Sequence, residues 1–230
     1  LSVSVSDEFN TPGNDMELTE VNSIDEVAAA LNGGDQMLVV KGEVQENKSI
    51  DFSAASTPYQ GTETVAVTLN AVAGNATVSF VAADDAPKNL SITMPEGHSV
   101  TINMPSTTVT LNGKVYSSVD AVTATSTLIV PRDVTIENLT LRQGNVKIYG
   151  VVNNVTKADG YADKIIRCVA SQADLDRALA DDKSGYDYLL IEQPVSGLDA
   201  GGTTVNAPVE IAANAELSNL TIDAPAGNGI

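Results

Sequence analysis

Apolar residues along this chain come in short runs separated by Asn, Gly and Pro, and the densest stretch, residues 127–152 (TLIVPRDVTIENLTLRQGNVKIYGVV), sets the pattern. It holds three runs, Leu128-Ile129-Val130, Leu139-Thr140-Leu141 and Val146-Lys147-Ile148-Tyr149, broken by Pro131, Asn138, Gly144-Asn145 and Gly150. Runs this short and this rich in β-branched residues favour strands, and their terminators favour corners. The stretch predicts one full turn of a parallel β-solenoid. Similar runs recur at 37–40, 65–69, 77–80, 90–94, 100–104 and 108–111 with no helical period between them. Self-similar short strands of this kind suit stacked coils, none of which buries its inner face alone. Asn112-Gly113 is the one clean two-residue hairpin signal, which weighs against an antiparallel sandwich.

Two segments break the strand pattern. Ser23-Ile24-Asp25-Glu26 reads as a capping box, with Ile24, Val27, Ala30 and Leu31 on one helical face and Gly33-Gly34 as the stop. The order recurs downstream, where Ser171 precedes Asp174 by three residues and Leu175, Ala178 and Leu179 follow, ahead of the apolar run at 188–191. Ser23 and Ser171 differ by 148, as do Leu31 and Leu179, so the helices align without a gap. A second gap-free repeat, offset by 81, lays Val130, Ile136, Leu139 and Leu141 on Ile211, Leu217, Leu220 and Ile222. Within it an Asn-Leu-[Ser/Thr]-aliphatic unit starts at Asn138 and Asn219, and also at Asn89. We expect Asn at a corner, tolerating left-handed backbone and stacking on an equivalent Asn above, with the aliphatic pair pointing inward.

The chain thus divides into a polar tail (1–20), a β-helix opened by a capping helix (21–162) and a second helix-plus-rung repeat (163–230), stacked on the first or truncated. The predicted class is all-β: a right-handed parallel β-helix with short capping α-helices.

Composition narrows the chemistry. Thirty acidic against twelve basic residues give a net charge of −18, which repels polyphosphates, so nucleic acid is not an expected partner. No apolar run approaches the roughly 20 residues needed to span a bilayer. Three Phe, six Tyr and no Trp leave the core to stacked aliphatics. A start at Leu1 followed by a polar stretch to Asn14 has the look of a processed end, as after signal-peptide removal.

Candidate chemistry is sparse. The one histidine, His98 in Glu96-Gly97-His98-Ser99, reads as a surface turn residue. Asp84-Asp85 and Asp181-Asp182, with Asp159 and Asp163, read as solvated loops, Asp84 and Asp85 being weak Ca²⁺ candidates. Cys168 follows Arg167, a neighbour able to lower a thiol pKa, but its apolar run makes it a core residue. Tyr116, Tyr149 and Tyr161 are the candidates for lining a sugar groove, but at 4% aromatics core or rung-end packing is the role expected of them. Asn-x-Ser/Thr sequons start at Asn47, Asn75, Asn89, Asn138, Asn154 and Asn219, three of them being the rung unit itself.

The rungs VTIENLTL (134–141) and GNVKIYGV (144–151), behind a helical cap, resemble the pectin-lyase-like parallel β-helix proteins, and more narrowly secreted or lipid-anchored β-helix proteins of gut Bacteroidetes. The resemblance implies export and an extracellular or outer-membrane location, with a lipid anchor upstream compatible with it. It carries over no catalytic residue: the hydrolases of this fold need paired Asp beside Gly-His-Gly and Arg-x-Lys, and the lyases an Asp cluster for Ca²⁺ with a base. The expectation is a non-catalytic surface module that displays loops such as 53–63 and 114–126 to a protein or polysaccharide, with no cofactor. The alternatives are a polysaccharide lyase or hydrolase and a carbohydrate-binding module.

Overall fold

A computed structural model describes residues 19–33, 35, 37–52, 64–82, 87–122, 127–192 and 196–223. The chain winds as a parallel β-solenoid of about nine turns. Strand β1 (Thr19–Val21) leads through a 3₁₀ turn (Ile24–Glu26) into helix α1 (Val27–Asn32). Four two-strand coils follow: β2 (Met37–Val44) with β3 (Lys48–Asp51), β4 (Thr64–Val72) with β5 (Thr77–Val81), β6 (Asn89–Thr93) with β7 (His98–Asn103), and β8 (Thr108–Asn112) with β9 (Val115–Ala121). Two three-strand coils come next: β10 (Thr127–Val130), β11 (Thr135–Ile136) and β12 (Leu139–Leu141), then β13 (Asn145–Ile148), β14 (Val151–Val152) and β15 (Val155–Lys157). Strand β16 (Ile165–Val169) is followed by helix α2 (Gln172–Leu179), and two last coils hold β17 (Tyr188–Ile191), β18 (Leu198–Asp199) and β19 (Thr204–Val205), then β20 (Val209–Ile211), β21 (Leu217–Ser218) and β22 (Thr221–Ile222).

One ten-stranded sheet runs the length of the stack in the order β1-β2-β4-β6-β8-β10-β13-β16-β17-β20, and every strand pairing is parallel. It continues through the β13–β16 pairing, so the coils on either side of residue 163 share a sheet. Register stacks like on like. Val65, Leu90, Val109, Leu128, Val146 and Ile165 form one inward column, and Ile50, Phe80, Ile102, Ala121 and Leu141 form another on the facing sheet. Burying each such side chain stabilises by about 1.5–3 kcal/mol, so the columns are the main source of cohesion. At the last coil Ile211 and Ile222 stand about half exposed.

Several expectations change. Residues 127–152 span more than one coil: Thr127 pairs with Asn145, so the run at 146–149 starts the next coil on top of β10. Asn112-Gly113 turns no hairpin; it is the corner between β8 and β9, with Gly113 at φ 112°. Residues 115–121, expected as part of a display loop, are strand β9, with Val119 and Ala121 buried. The loop at 53–63 and residues 123–126 lie outside the described residues. Thr19 and Glu20 already belong to β1.

The helix repeat holds at atomic level but shifts the capping bond. Glu26 accepts from the Asn22 amide at 2.9 Å, one residue before Ser23, whose own side chain makes no capping bond. Asp174 accepts from the Ala170 amide at 3.0 Å in the same relation, while Ser171 does cap, accepting from the Asp174 amide at 3.1 Å. Both helices join parallel neighbours, β1 to β2 and β16 to β17. The 3₁₀ turn and α1 pack Ile24, Val27 and Leu31 into the core at the first coil; α2 stands between coils, where other turns carry second-sheet strands.

Of the three Asn-Leu units only Asn219 takes left-handed backbone, at φ 56°. Asn138 and Asn154 precede the register partners Leu139 and Val155. Each donates its side-chain amide to a carbonyl of the coil before, Ser117 O at 3.1 Å and Glu137 O at 2.9 Å.

Candidate functional site: a charged cluster where a helix enters the coil

All five residues of β16 are buried, and strand alternation sends Ile165, Arg167 and Val169 inward while Ile166 and Cys168 face the other way. Arg167 therefore occupies an aliphatic column. In register it follows Val130 and Ile148 and precedes Leu189 and Val209. It is 1 % exposed. Burying a guanidinium costs several kcal/mol unless it is paired, and this one has two partners, Gly150 O at 2.7 Å and an Asp181 carboxylate oxygen at 3.4 Å. Its Nε has none. Burial pulls its pKa down, with Asp181 opposing. The core divides here, one apolar cluster ending at Ile165 and a smaller one beginning at Val169.

The carboxylates nearby are already committed. Asp174, fully buried on α2, takes a two-pronged bond from Arg132 (2.6 and 2.8 Å), accepts the Ala170 amide and lies 3.5 Å from Arg177. Burial alone would raise its pKa, but these bonds hold the carboxyl below its usual range. Asp181 accepts from the Lys183 and Ser184 amides and from the Ser184 hydroxyl. Arg177 reaches Tyr149 O at 3.0 Å. Gly150 fits because a Cβ there would collide with the carbonyls of Pro131 and Val134. Between this segment and the end of α2 lies a cavity of about 190 Å³, walled by Arg167, Arg177, Lys183, Asp181, Asp182 and Asn153 among others.

On the outer side of the same strand Cys168 is 0 % exposed, and burial pushes its thiol up to about 12. Arg167 pulls the other way but does not offset this burial, since adjacent strand residues point to opposite faces. The expected core role of Cys168 agrees with this burial. Tyr149 donates to Glu192 at 2.6 Å, and Lys147 lies 3.8 Å from the same carboxylate.

The remaining sequence candidates do not converge. His98 is no turn residue: it opens β7 facing inward, 0 % exposed, with its ring 4.3 Å from and edge-on to that of Tyr116 and both nitrogens without a partner. Burial lowers its pKa to about 4. Tyr116 is core, the role expected of it, its hydroxyl donating to Asn112 O. Tyr161, half-buried, donates to Gly144 O. Asp182 and Asp159 are exposed as expected, but Asp181 is tucked against Arg167, and Asp163 accepts from the Gly144 amide at 2.7 Å. Asp84 and Asp85 lie outside the described residues. Among the described residues no three His, Cys, Asp or Glu side chains group to hold a metal, and no helix is long and apolar enough to cross a membrane. Sequence reasoning missed Arg132, Arg167, Asp174 and Arg177. For Arg167 the signal was present, since it shares strand parity with Ile165 and Val169. No protein-family model, curated protein or solved structure matches the chain.

Proposed function

We propose that this chain is a non-catalytic β-solenoid that acts, exported and at the cell surface, as a structural or interaction module. The observation that carries the reading is the outward face of the coils. Thr64, Asn89, Thr108, Thr127 and Asn145 stand in register on the long sheet. Ser49, Ser79, Thr101, Asp120, Thr140 and Thr156 do so on the facing one. Parallel strands set such rows about 4.8 Å apart, giving a fixed grid of short hydrogen-bonding groups that loses little side-chain entropy on contact. A rigid, mostly uncharged grid on a strongly acidic molecule suits recognition of an extended surface or polymer. Placement outside the cell draws on the likeness of the rungs to secreted β-helix proteins.

Beads coated with the chain are expected to capture at least one member of a panel of neutral and acidic polysaccharides and extracellular proteins. The Thr101→Gln/Thr140→Gln variant, which adds bulk without stacking further carboxylates on Asp120, is expected to lose that capture at an unchanged melting temperature. Capture of nothing, capture indifferent to the double substitution, or release of reducing ends or unsaturated uronides from any polymer would overturn the reading.

A further inference from the structure

We propose that the cavity beside Arg167 is a binding site for a small carboxylate, independent of the outward rows. Arg167 breaks a column of aliphatics with a charge that the chain compensates incompletely: one short bond to Gly150 O, an Asp181 oxygen at 3.4 Å, and a buried Nε with no acceptor. The two carboxylates within reach are engaged elsewhere, Asp174 by Arg132 and the Ala170 amide, Asp181 by Ser184 and the Lys183 amide. A buried donor of this kind is costly to leave unmade. Arg167 lines a cavity with room for a guest, the space of about 190 Å³ that Arg177 and Lys183 also wall.

Charge and shape together name the ligand class. Three cations face two carboxylates, Asp181 and Asp182, around this cavity, in a chain whose net charge is −18. The surplus of one positive charge matches a monoanion. The two Asp groups, with the carbonyl end of α2 at the cavity wall, oppose a dianion such as phosphate. A planar guanidinium pairs best with a planar two-oxygen acceptor. The cavity is smaller than the roughly 300 Å³ at which drug-sized pockets begin, so it takes a free short-chain acid or the carboxylate end of a larger molecule.

The test is thermal unfolding of the whole chain at neutral pH in sodium acetate against sodium chloride of equal ionic strength, with acetamide as the uncharged isostere. Trialanine with a free or an amidated C-terminus separates a larger molecule's carboxylate from a free acid. The expected result is a saturable rise in melting temperature with acetate, with free trialanine, or with both, and none with acetamide or amidated trialanine. Arg167→Met is expected to abolish the response. Lys183→Gln, at the exposed rim, weakens apparent affinity about tenfold, the loss of roughly 1.4 kcal/mol of charge-assisted bonding. Should Arg167→Met not fold, Lys183→Gln and a shift of the Arg167 Nε–H resonance during acetate titration decide. Equal responses to acetate and chloride, or a response that Lys183→Gln leaves unchanged, would overturn the proposal.

Discussion

His98 enters the core with two polar nitrogens and nothing to bond them. Its partner strand makes the arrangement possible. Register slips between His98 and Ser99, Ser117 bulges out, and Tyr116 turns inward to meet the imidazole. Because the folded pKa, about 4, lies below the ordinary 6.5, the unfolded chain binds the extra proton between those values. The stability tied to neutral His98 is complete above pH 6.5 and is lost as pH falls toward 4, by on the order of 3 kcal/mol at most. His98→Phe keeps a ring of similar size and removes both orphaned atoms. We expect it to melt no lower than the wild type at pH 7 and to gain on it progressively between pH 6.5 and 4; parallel pH profiles of melting temperature would refute this. Cys168 supports a second expectation. A buried thiol with a pKa near 12 supplies almost no thiolate at neutral pH, so labelling by a thiol reagent should proceed only as fast as the chain opens, and rapid native-state labelling would contradict the assigned burial.

At the scale of elements, α2 is fixed by a contact that bridges distant parts of the chain, Arg132 to Asp174. Asp174 is fully buried whereas Arg132 is half exposed, so their losses differ. Asp174→Ala strands Arg132 harmlessly in water but removes the acceptor for the Ala170 amide. Arg132→Ala leaves a buried carboxylate short of a partner, a change that costs about 3–5 kcal/mol when a buried pair is broken outright and less here because Arg177 remains 3.5 Å away. The double variant should cost less than the sum of the singles, by 0.5 kcal/mol or more; additive denaturation energies would show that the pair does not hold α2. This scale also explains what the sequence made legible. Strands and helices announced themselves through local runs and caps, and the offset of 148 proved true down to the bonds of Glu26 to Asn22 and Asp174 to Ala170. The cluster was hidden because Arg132 and Asp174 lie 42 residues apart, more than one coil, and only the register of intervening coils brings them together. His98 was misplaced for a related reason: Glu96-Gly97 does form a turn, but parity with Val100 and Ile102 decides which way the next side chain points.

Across the whole molecule, charge and cohesion are unevenly shared. Residues 127–192 carry eight of the twelve basic residues and ten of the thirty acidic ones, leaving four basic against twenty acidic elsewhere. Cohesion falls off toward the last coils, where the smaller core cluster sits beneath second-side strands of two residues each. Stacked repeats exchange stability mainly with nearest neighbours, so hydrogen exchange should show amides of β20–β22 opening first and those of β6–β13 last. Uniform protection along the stack would mean that the coils unfold as one unit. The parallel register has a mechanical corollary. Thr108, Thr127 and Asn145 stack in sequence, so adjacent coils are 19 and 18 residues apart. A tether pulling at one end would peel strands singly, each rupture paying out about 60 Å of chain at roughly 3.3 Å per residue. Force would then register as a sawtooth whose steps lengthen toward the first coils, where Leu38 pairs with Val67 and Thr64 with Asn89, and a molecule built this way would yield gradually under shear while the coils still wound kept their shape.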